Sequence, residues 1–202
     1  MKLKKLEMTL QQLKGFLRPR AALEQYQTPA PLAARLLYHA LMKGDIAGRA
    51  VTDLGCGTGM LAIGAALLGA GPVTAVEIDE EAVRVGKANA GMLNADVEFI
   101  IADVKNPALP GRIGRCDTVV MNPPFGAQKA HADRPFIDCA LAIAPVTYSI
   151  FNAGSIPFVG AYTAQKANVR LIGNALPIVS VISAFCAVYA PTNGMDPALK
   201  ML

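Results

Sequence analysis

An asparagine followed by two prolines at the end of an apolar run suggests chemistry on a planar nitrogen. Asn122, Pro123, Pro124 and Phe125 come directly after residues 117–121, which are typical of a buried strand. The Asn122 side-chain oxygen and the Pro123 carbonyl can each accept one N–H, which stabilises the positive charge that develops as an amine or amide nitrogen reacts. The prolines end the strand and fix the backbone, and Phe125 offers a flat face for stacking. From these residues alone, a proline-rich turn without chemistry stays open.

A glycine-rich turn earlier in the chain predicts a cofactor site. Gly55, Gly57 and Gly59 lie between a short apolar run and a helix-like segment, and glycines let the backbone approach a ligand closely. Asp53 stands two residues before the first glycine, where a carboxylate can interact with a cationic aminoacyl group. Dinucleotide sites use a related turn, but a carboxylate is less suited to a position beside a pyrophosphate.

Two further carboxylates follow the next two predicted strands. Glu77 ends the second strand and can accept hydrogen bonds from both hydroxyls of a ribose. Asp103 follows the third strand and can accept from an adenine amino group, with the Val104 backbone beside it. Each acid alone could be a solvated loop residue or a helix cap. Because the carboxyl ends of parallel strands meet at one sheet edge, the three acids together predict a site for S-adenosylmethionine.

Strand-like and helix-like segments alternate along the chain. This alternation predicts an α/β fold with a mostly parallel, doubly wound, Rossmann-like sheet. The predicted strands are 50–53, 73–77, 97–101, 117–121 and 146–151, and the predicted helices are 32–41, 61–68, 80–89 and 134–144. Residues 155–168 suit a further helix and residues 175–189 one or two further strands. We expect one domain over residues 1–202, with a helical lid or extension over 1–48 and the core over 49–202.

Leucines near the N-terminus predict an amphipathic helix. They recur at spacings of three and four residues, at Leu3, Leu6, Leu10, Leu13 and Leu17. The polar side of this helix carries several basic residues, among them Lys4, Lys5, Lys14 and Arg18. Two interpretations stay open for this side: a solvated face, or a surface that meets nucleic acid.

Composition excludes several classes of protein. With 53% hydrophobic and 17% charged residues the chain is not disordered, and its net charge of +4 is compatible with an RNA partner without requiring one. The four cysteines are scattered, which argues against disulfides or zinc and favours a reducing, cytoplasmic environment. The longest apolar stretch, 175–190, is shorter than the roughly 20 residues that span a bilayer, so we expect buried strands and no membrane partner.

The motifs together resemble one family. The chain is similar to class I methyltransferases with an Asn-Pro-Pro-Phe/Tyr motif, and residues 23–28 (Leu-Glu-Gln-Tyr-Gln-Thr) resemble a signature of the small-subunit ribosomal RNA adenine-N6 methyltransferases. That family comprises the methyltransferase-like protein five group and its archaeal relatives. The similarity covers roughly residues 3–156 and includes segments 10–16, 67–71, 117–126 and 148–150.

The resemblance implies a role for each matched residue. Gln25 and Thr28 would close over S-adenosylmethionine, although helix capping is an alternative for both, and Gly55, Thr58 and Met60 would line its methionine end. Glu77 would bind the ribose, and Asp103 with Val104 the adenine. Residues 122–125 would hold a target adenine flipped from its stack. The family also implies a small zinc-binding methyltransferase activator protein as a partner, joined by strand addition.

The resemblance weakens at the C-terminal end, and other functions stay open. Members of this family usually carry a basic turn between two strands, whereas residues 177–190 are apolar here. This difference leaves open whether the sheet has all seven strands and whether this end binds RNA. The alternatives are a protein-glutamine N5 methyltransferase, which would normally carry Tyr in place of Phe125, and a non-catalytic scaffold that binds S-adenosylmethionine.

Overall fold

Helices and strands alternate along the chain as the sequence predicts. The computed structural model describes residues 1–124, 131–166, 170–174 and 183–189. The helices are α1 Leu3–Leu10, α2 Ala30–Met42, α3 Met60–Leu67, α4 Glu80–Met92, α5 Leu109–Ile113, α6 Arg134–Ile143 and α7 Ile156–Lys166. The strands are β1 Val51–Leu54, β2 Val73–Glu77, β3 Glu98–Ile101, β4 Thr118–Met121, β5 Val146–Asn152, β6 Arg170–Asn174 and β7 Ser183–Tyr189. Of these, α5 and β6 are not foreseen by the sequence pattern.

The strands form one sheet in the order β3-β2-β1-β4-β5-β7-β6. Strands β1 to β5 are parallel, and β7 runs antiparallel to both of its neighbours. The predicted α/β, mostly parallel, Rossmann-like fold is therefore confirmed. From β1 the chain winds outward to β3 and then returns to β4, so the order reverses between β1 and β4. Such a reversal opens a crevice at the carboxyl ends of the two strands, where α/β sheets bind ligands.

Helices cover both faces of the sheet, which explains why the central strands lack alternation. All four residues of β1 and of β4 are buried, as expected for parallel strands between two helical layers. One apolar core includes residues of α1, α2 and α3, and the other includes residues of α6 and α7. Packing on both sides holds the carboxyl ends of β1 and β4 in fixed positions.

The N-terminal helix is shorter than predicted. Leu6, Leu10 and Leu13 are buried, but α1 ends at Leu10 and Leu17 is 65% exposed, so the prediction of a helix through Leu17 is wrong. The reason lies in a contact distant in sequence. The buried Asn89 side chain accepts from the Lys14 backbone N–H (3.0 Å) and donates to the Lys14 carbonyl (2.9 Å). These bonds pull the chain away from the helix axis and direct it toward the sheet edge.

The described residues form a sheet of seven strands, the last two of which come from the C-terminal end. This answers the question, left open by the sequence, whether the sheet has all seven strands. Helix α7 is close to the predicted 155–168, and β7 lies within the predicted 175–189. The remainder of that predicted region, 175–182, lies outside the described residues. Within the described ranges, no helix combines the length and the apolar character that crossing a membrane requires.

Candidate active site

A cleft lies at the carboxyl edge of the sheet, above the reversal between β1 and β4. The empty space in and above it, including open solvent, amounts to about 1060 Å³. Eleven of the fourteen residues that the sequence singles out line this cleft: Gln25, Thr28, Gly55, Gly57, Thr58, Met60, Glu77, Asp103, Val104, Asn122 and Pro124. The structure thus brings together groups that are up to 99 residues apart in the chain. Asp53 and Pro123 do not line it, and Phe125 lies outside the described residues.

The glycine-rich turn between β1 and α3 forms the floor of the cleft. Gly55 and Gly57 have φ angles of +72° and +54°, a left-handed conformation that glycine adopts without steric cost. Aromatic rings pack against both. A Cβ atom on Gly55 would lie 2.8 Å from the Phe136 ring, and one on Gly57 would lie 2.7 Å from the Phe16 ring. The two glycines therefore provide both the turn and the room for these rings.

Glu77, at the end of β2, fixes the shape of this turn. One carboxylate oxygen accepts from the Gly57 N–H (2.9 Å), and the other accepts from the N–H groups of Ile78 (2.9 Å) and Asp79 (3.0 Å). Burial raises the pKa of Glu77, and these three hydrogen bonds oppose that rise. A carboxylate has about four acceptor positions, so about one remains for a ligand. We therefore expect Glu77 to accept from one hydroxyl of a ribose, whereas the sequence suggests both.

The third strand end contributes a polar wall. Asp103 and Val104 follow β3, and Val104 is buried. One Asp103 oxygen accepts from the Lys105 N–H (2.9 Å), which holds the acid in a tight turn at the rim of the cleft. Asp103 and Val104 both line the cleft, and their contact with a purine stays a prediction.

Asn122 follows β4, lines the cleft and has one acceptor without a partner among the described residues. Its side-chain N–H donates to the Thr28 hydroxyl oxygen (3.0 Å), which defines the orientation of the amide. Its Oδ1 atom is buried and has no hydrogen-bond partner among the described residues. A buried acceptor without a partner costs about 1–3 kcal/mol. Without a ligand the site therefore has a free-energy cost, which a ligand N–H would remove by donating to Oδ1.

Comparisons with known proteins agree with this geometry. Residues 31–143 match the family model described as "Methyltransferase small domain". The chain is 44% identical to the protein MJ0284 of Methanocaldococcus jannaschii, over 82% of this chain and 78% of that protein. It is 38% identical to the rRNA N(6)-adenosine-methyltransferase Mettl5 of Drosophila melanogaster, over 79% of this chain and 76% of that enzyme.

A solved structure extends the similarity to the whole fold. PH1948 of Pyrococcus horikoshii, described as a candidate RNA methyltransferase, is 37% identical and superposes with a TM-score of 0.82, covering 96% of this chain and 99% of that one. The chain belongs to the methyltransferase small-domain family, in the group that contains the Mettl5 proteins. It is an S-adenosylmethionine-dependent methyltransferase.

The polar groups that line the cleft of this methyltransferase match those of S-adenosylmethionine. Gly55 and Gly57 provide a close backbone approach, and the acceptors of Glu77 and Asp103 lie at the ends of adjacent strands. This order suits a molecule with a methionine end, a ribose and an adenine. Among the described residues there is no group of three or more metal-ligating side chains.

Asp53 has a different environment from the one that the sequence suggests. It is 1% exposed and lies beneath the glycine turn, where one oxygen accepts from the Ala62 N–H (2.9 Å) in α3. The other oxygen, Oδ1, is buried and has no hydrogen-bond partner within the described ranges. Burial raises the pKa of Asp53 to about 8, the Ala62 bond opposes the rise, and the charge of Glu77 adds to it. Asp53 thus anchors the turn to α3 from below.

Residues 14–28, between α1 and α2, form a strap across the cleft. Gln25 donates to the Asp79 carboxylate (2.7 Å) and accepts from the Arg20 backbone N–H (2.7 Å), and the Arg20 guanidinium lies 3.5 Å from the same acid. Asp79 is the residue that caps α4, through the Glu81 N–H. The residue that caps α2 is Pro29 and not Thr28. The strap is therefore attached to the end of β2 and to Asn122 by side chains that the sequence associates with the cofactor.

Sequence reasoning assigned no role to several residues of the cleft. They include Phe16, Tyr26, Gln27, Lys105 and Phe136. Phe16 falls within the region that resembles the family, but no pattern assigns it to the Gly57 turn. A glycine in the sequence indicates that a Cβ atom would not fit, but only the fold shows which side chain occupies the space next to it.

Proposed function

We propose that this methyltransferase transfers a methyl group to N6 of an adenosine in ribosomal RNA of the small subunit. The observation that carries the proposal is the buried, unpartnered Oδ1 atom of Asn122 at the edge of the cleft. It is an acceptor held in one orientation, and no group of the described residues donates to it. The exocyclic amine of adenine has two N–H groups and supplies such a donor.

The chemistry of the target explains why a pair of acceptors is useful. The N6 lone pair is delocalised into the purine ring, so the nitrogen is a weak nucleophile. Asn122 Oδ1 and the Pro123 carbonyl would each accept one N–H, which favours a pyramidal nitrogen and stabilises its developing positive charge. Pro124 lines the cleft, and Phe125 would stack on the flipped base. Rigid positioning of the nitrogen supplies much of the remaining rate enhancement.

The other half of the cleft would hold the methyl donor. S-adenosylmethionine, when bound, supplies an electrophilic methyl group on a sulfonium. Gly55, Thr58 and Met60 would line its methionine end, Glu77 would accept from one ribose hydroxyl, and Asp103 with Val104 would contact the adenine. Gln25, in the strap, would cover this half and limit the access of water.

Relatives support RNA as the substrate. The two homologues from Drosophila melanogaster and Danio rerio that are 38% and 39% identical are both named rRNA N(6)-adenosine-methyltransferases. The net charge of +4 is compatible with a polyanionic substrate.

We also propose a small zinc-binding methyltransferase activator protein as a partner, bound at an edge of the sheet. In the described sheet the edge strands are β3 and β6, and an exposed edge accepts a further strand. Co-expression with such a protein from the same source, followed by gel filtration, tests this proposal. Separate elution of the two proteins at micromolar concentration would contradict it.

One experiment tests the proposed reaction. The protein is incubated with labelled S-adenosylmethionine and either deproteinised small-subunit RNA or ribosomal protein, and the products are digested and separated. Label in N6-methyladenosine is the expected result. Label in protein glutamine alone would overturn the proposal, and cofactor binding without any transfer would favour a scaffold.

A further inference from the structure

We propose that Arg134, Phe158 and Tyr162 form a second RNA subsite, which binds the nucleotide next to the target adenosine. We call these three residues the arginine–aromatic cluster. The inference rests on the proposed function and deepens it, because it names a specificity element outside the cleft. None of the three residues lines the cleft itself.

The cluster consists of one cation and two rings that are all in mutual contact. The Arg134 Cζ atom lies 5.2 Å from the centroid of the Phe158 ring and 5.5 Å from that of the Tyr162 ring. The two ring centroids are 5.5 Å apart, and the ring planes differ by 29°. The Tyr162 hydroxyl donates to the Asp138 carboxylate, with both oxygens at 3.1 Å. Contacts from α6 and α7 therefore hold the guanidinium in place.

This cation has no anionic partner in the part of the chain that the structure describes. Within the described ranges, Arg134 forms no ion pair, and its Nε atom is buried without a hydrogen-bond acceptor. Arg134 as a whole is partly exposed. Phe158 exposes 36% of its surface. Arginine side chains held between helices normally have an anionic partner, because a charge removed from water is costly without one.

The cluster lies near the target half of the cleft, which is the part lined by Thr28, Asn122 and Pro124. Arg134 begins α6, two residues after Ala132, which lines the cleft. Phe136, in the same turn of the helix, packs over Gly55. Helix α7 follows the carboxyl end of β5, the strand next to β4. The cluster thus lies at the same sheet edge as Asn122, on the β5 side.

The chemistry of the cluster matches an unstacked nucleotide. Moving one base out of its stack exposes the faces of its neighbours. Bases stack on aromatic rings and on guanidinium planes, and a guanidinium also donates to phosphate oxygens in a bidentate geometry. Phe158 would stack on the neighbouring base, and the terminal nitrogens of Arg134 would contact its phosphate. Tyr162 and Asp138 act behind them as positioning residues.

Filter binding of labelled, deproteinised small-subunit RNA to the full chain tests this inference. We expect Phe158→Leu and Arg134→Gln each to raise the Kd about tenfold, as expected for loss of one stacked base or one phosphate contact. For Arg134→Gln the slope of log Kd against log salt should fall by about one, and for Phe158→Leu it should not change. The affinity for S-adenosylmethionine should stay constant in both variants.

Matched variants separate binding from folding. Phe158→Trp retains a ring and should bind RNA nearly as the natural chain does. Arg49→Gln removes the same charge before β1, at the opposite sheet edge, and should change the slope much less than Arg134→Gln. RNA binding by Phe158→Leu and Arg134→Gln equal to that of the natural chain would overturn the subsite alone. Failure of the natural chain to methylate RNA would instead overturn the proposed function. The RNA affinities of the variants would still show whether the arginine–aromatic cluster binds RNA.

Discussion

The two halves of the cleft differ in how their polar atoms are satisfied. In the cofactor half, Glu77 already accepts three backbone N–H groups, and Asp103 accepts one. In the target half, Asn122 donates to Thr28, and its acceptor has no partner in the part of the chain that the structure describes. The cofactor half is therefore part of the folded framework, whereas the target half is complete only with a ligand. Substitutions in the first should affect stability and cofactor affinity together, and substitutions in the second should affect the reaction alone.

The strongest test of this difference is Asn122→Ala. We expect kcat to fall by about 10²–10³-fold or more, because the variant loses an acceptor that stabilises charge only during the reaction. The Kd for S-adenosylmethionine should change little. Single-turnover transfer to RNA and calorimetric titration of the cofactor measure the two quantities. A parallel loss of cofactor affinity would show that the Asn122 side chain belongs to both halves.

Glu77→Gln should give the opposite pattern. The amide N–H of glutamine would oppose either the Gly57 N–H or the pair from Ile78 and Asp79, so the turn loses a partner at a cost of about 1–3 kcal/mol. We expect a lower Tm and a Kd for S-adenosylmethionine raised at least about tenfold, with kcat at saturating cofactor nearly retained. The matched control is Asp103→Asn, which leaves the Glu77 network intact and should lower the Tm less. Equal Tm values for the two variants would contradict the structural role of Glu77.

Thr28→Val should produce a smaller effect confined to the target half. The substitution keeps the shape of the side chain but removes the oxygen that accepts from Asn122, so the amide loses its fixed orientation. We expect kcat to fall about tenfold, the magnitude of one lost hydrogen bond of about 1.4 kcal/mol. Cofactor affinity should be unchanged. Thr28→Ser retains the hydroxyl and should recover most of kcat. If Ser and Val behave alike, the hydroxyl does not orient Asn122.

Many residues of the cleft can be predicted from the sequence. The features that cannot be predicted depend on contacts between segments that are distant in the chain. Buried strands followed by acids or glycines identify the carboxyl edge of a parallel sheet, so the members of the cleft were found. The resemblance predicts that Gln25 and Thr28 cover the cofactor, but the path of the strap does not follow from the sequence. The helical spacing of the leucines continues to Leu17, whereas Asn89, 75 residues away, binds Lys14. Strand β6 was missed, whereas β7 lies in a run that the sequence marks as apolar. The position of Asp53 relative to the turn depends on how β1 and α3 pack.

Asp53 provides the finest test, since it belongs to the framework of the cofactor half without lining the cleft. Its pKa is raised to about 8 by burial, compared with about 3.9 in an unfolded chain. Between about pH 4 and pH 8 the folded state therefore binds a proton that the unfolded state releases, so stability falls as pH rises across that range and levels off above about 8. Asp53→Asn retains an acceptor for the Ala62 N–H and cannot ionise. Without cofactor, we expect the Tm of the natural chain to fall by a few degrees relative to this variant between pH 6 and pH 9. A constant difference across that range would mean that Asp53 is ionised in the fold. The cofactor half would then hold a buried charge beneath its glycine turn, available to attract a cationic ligand from below.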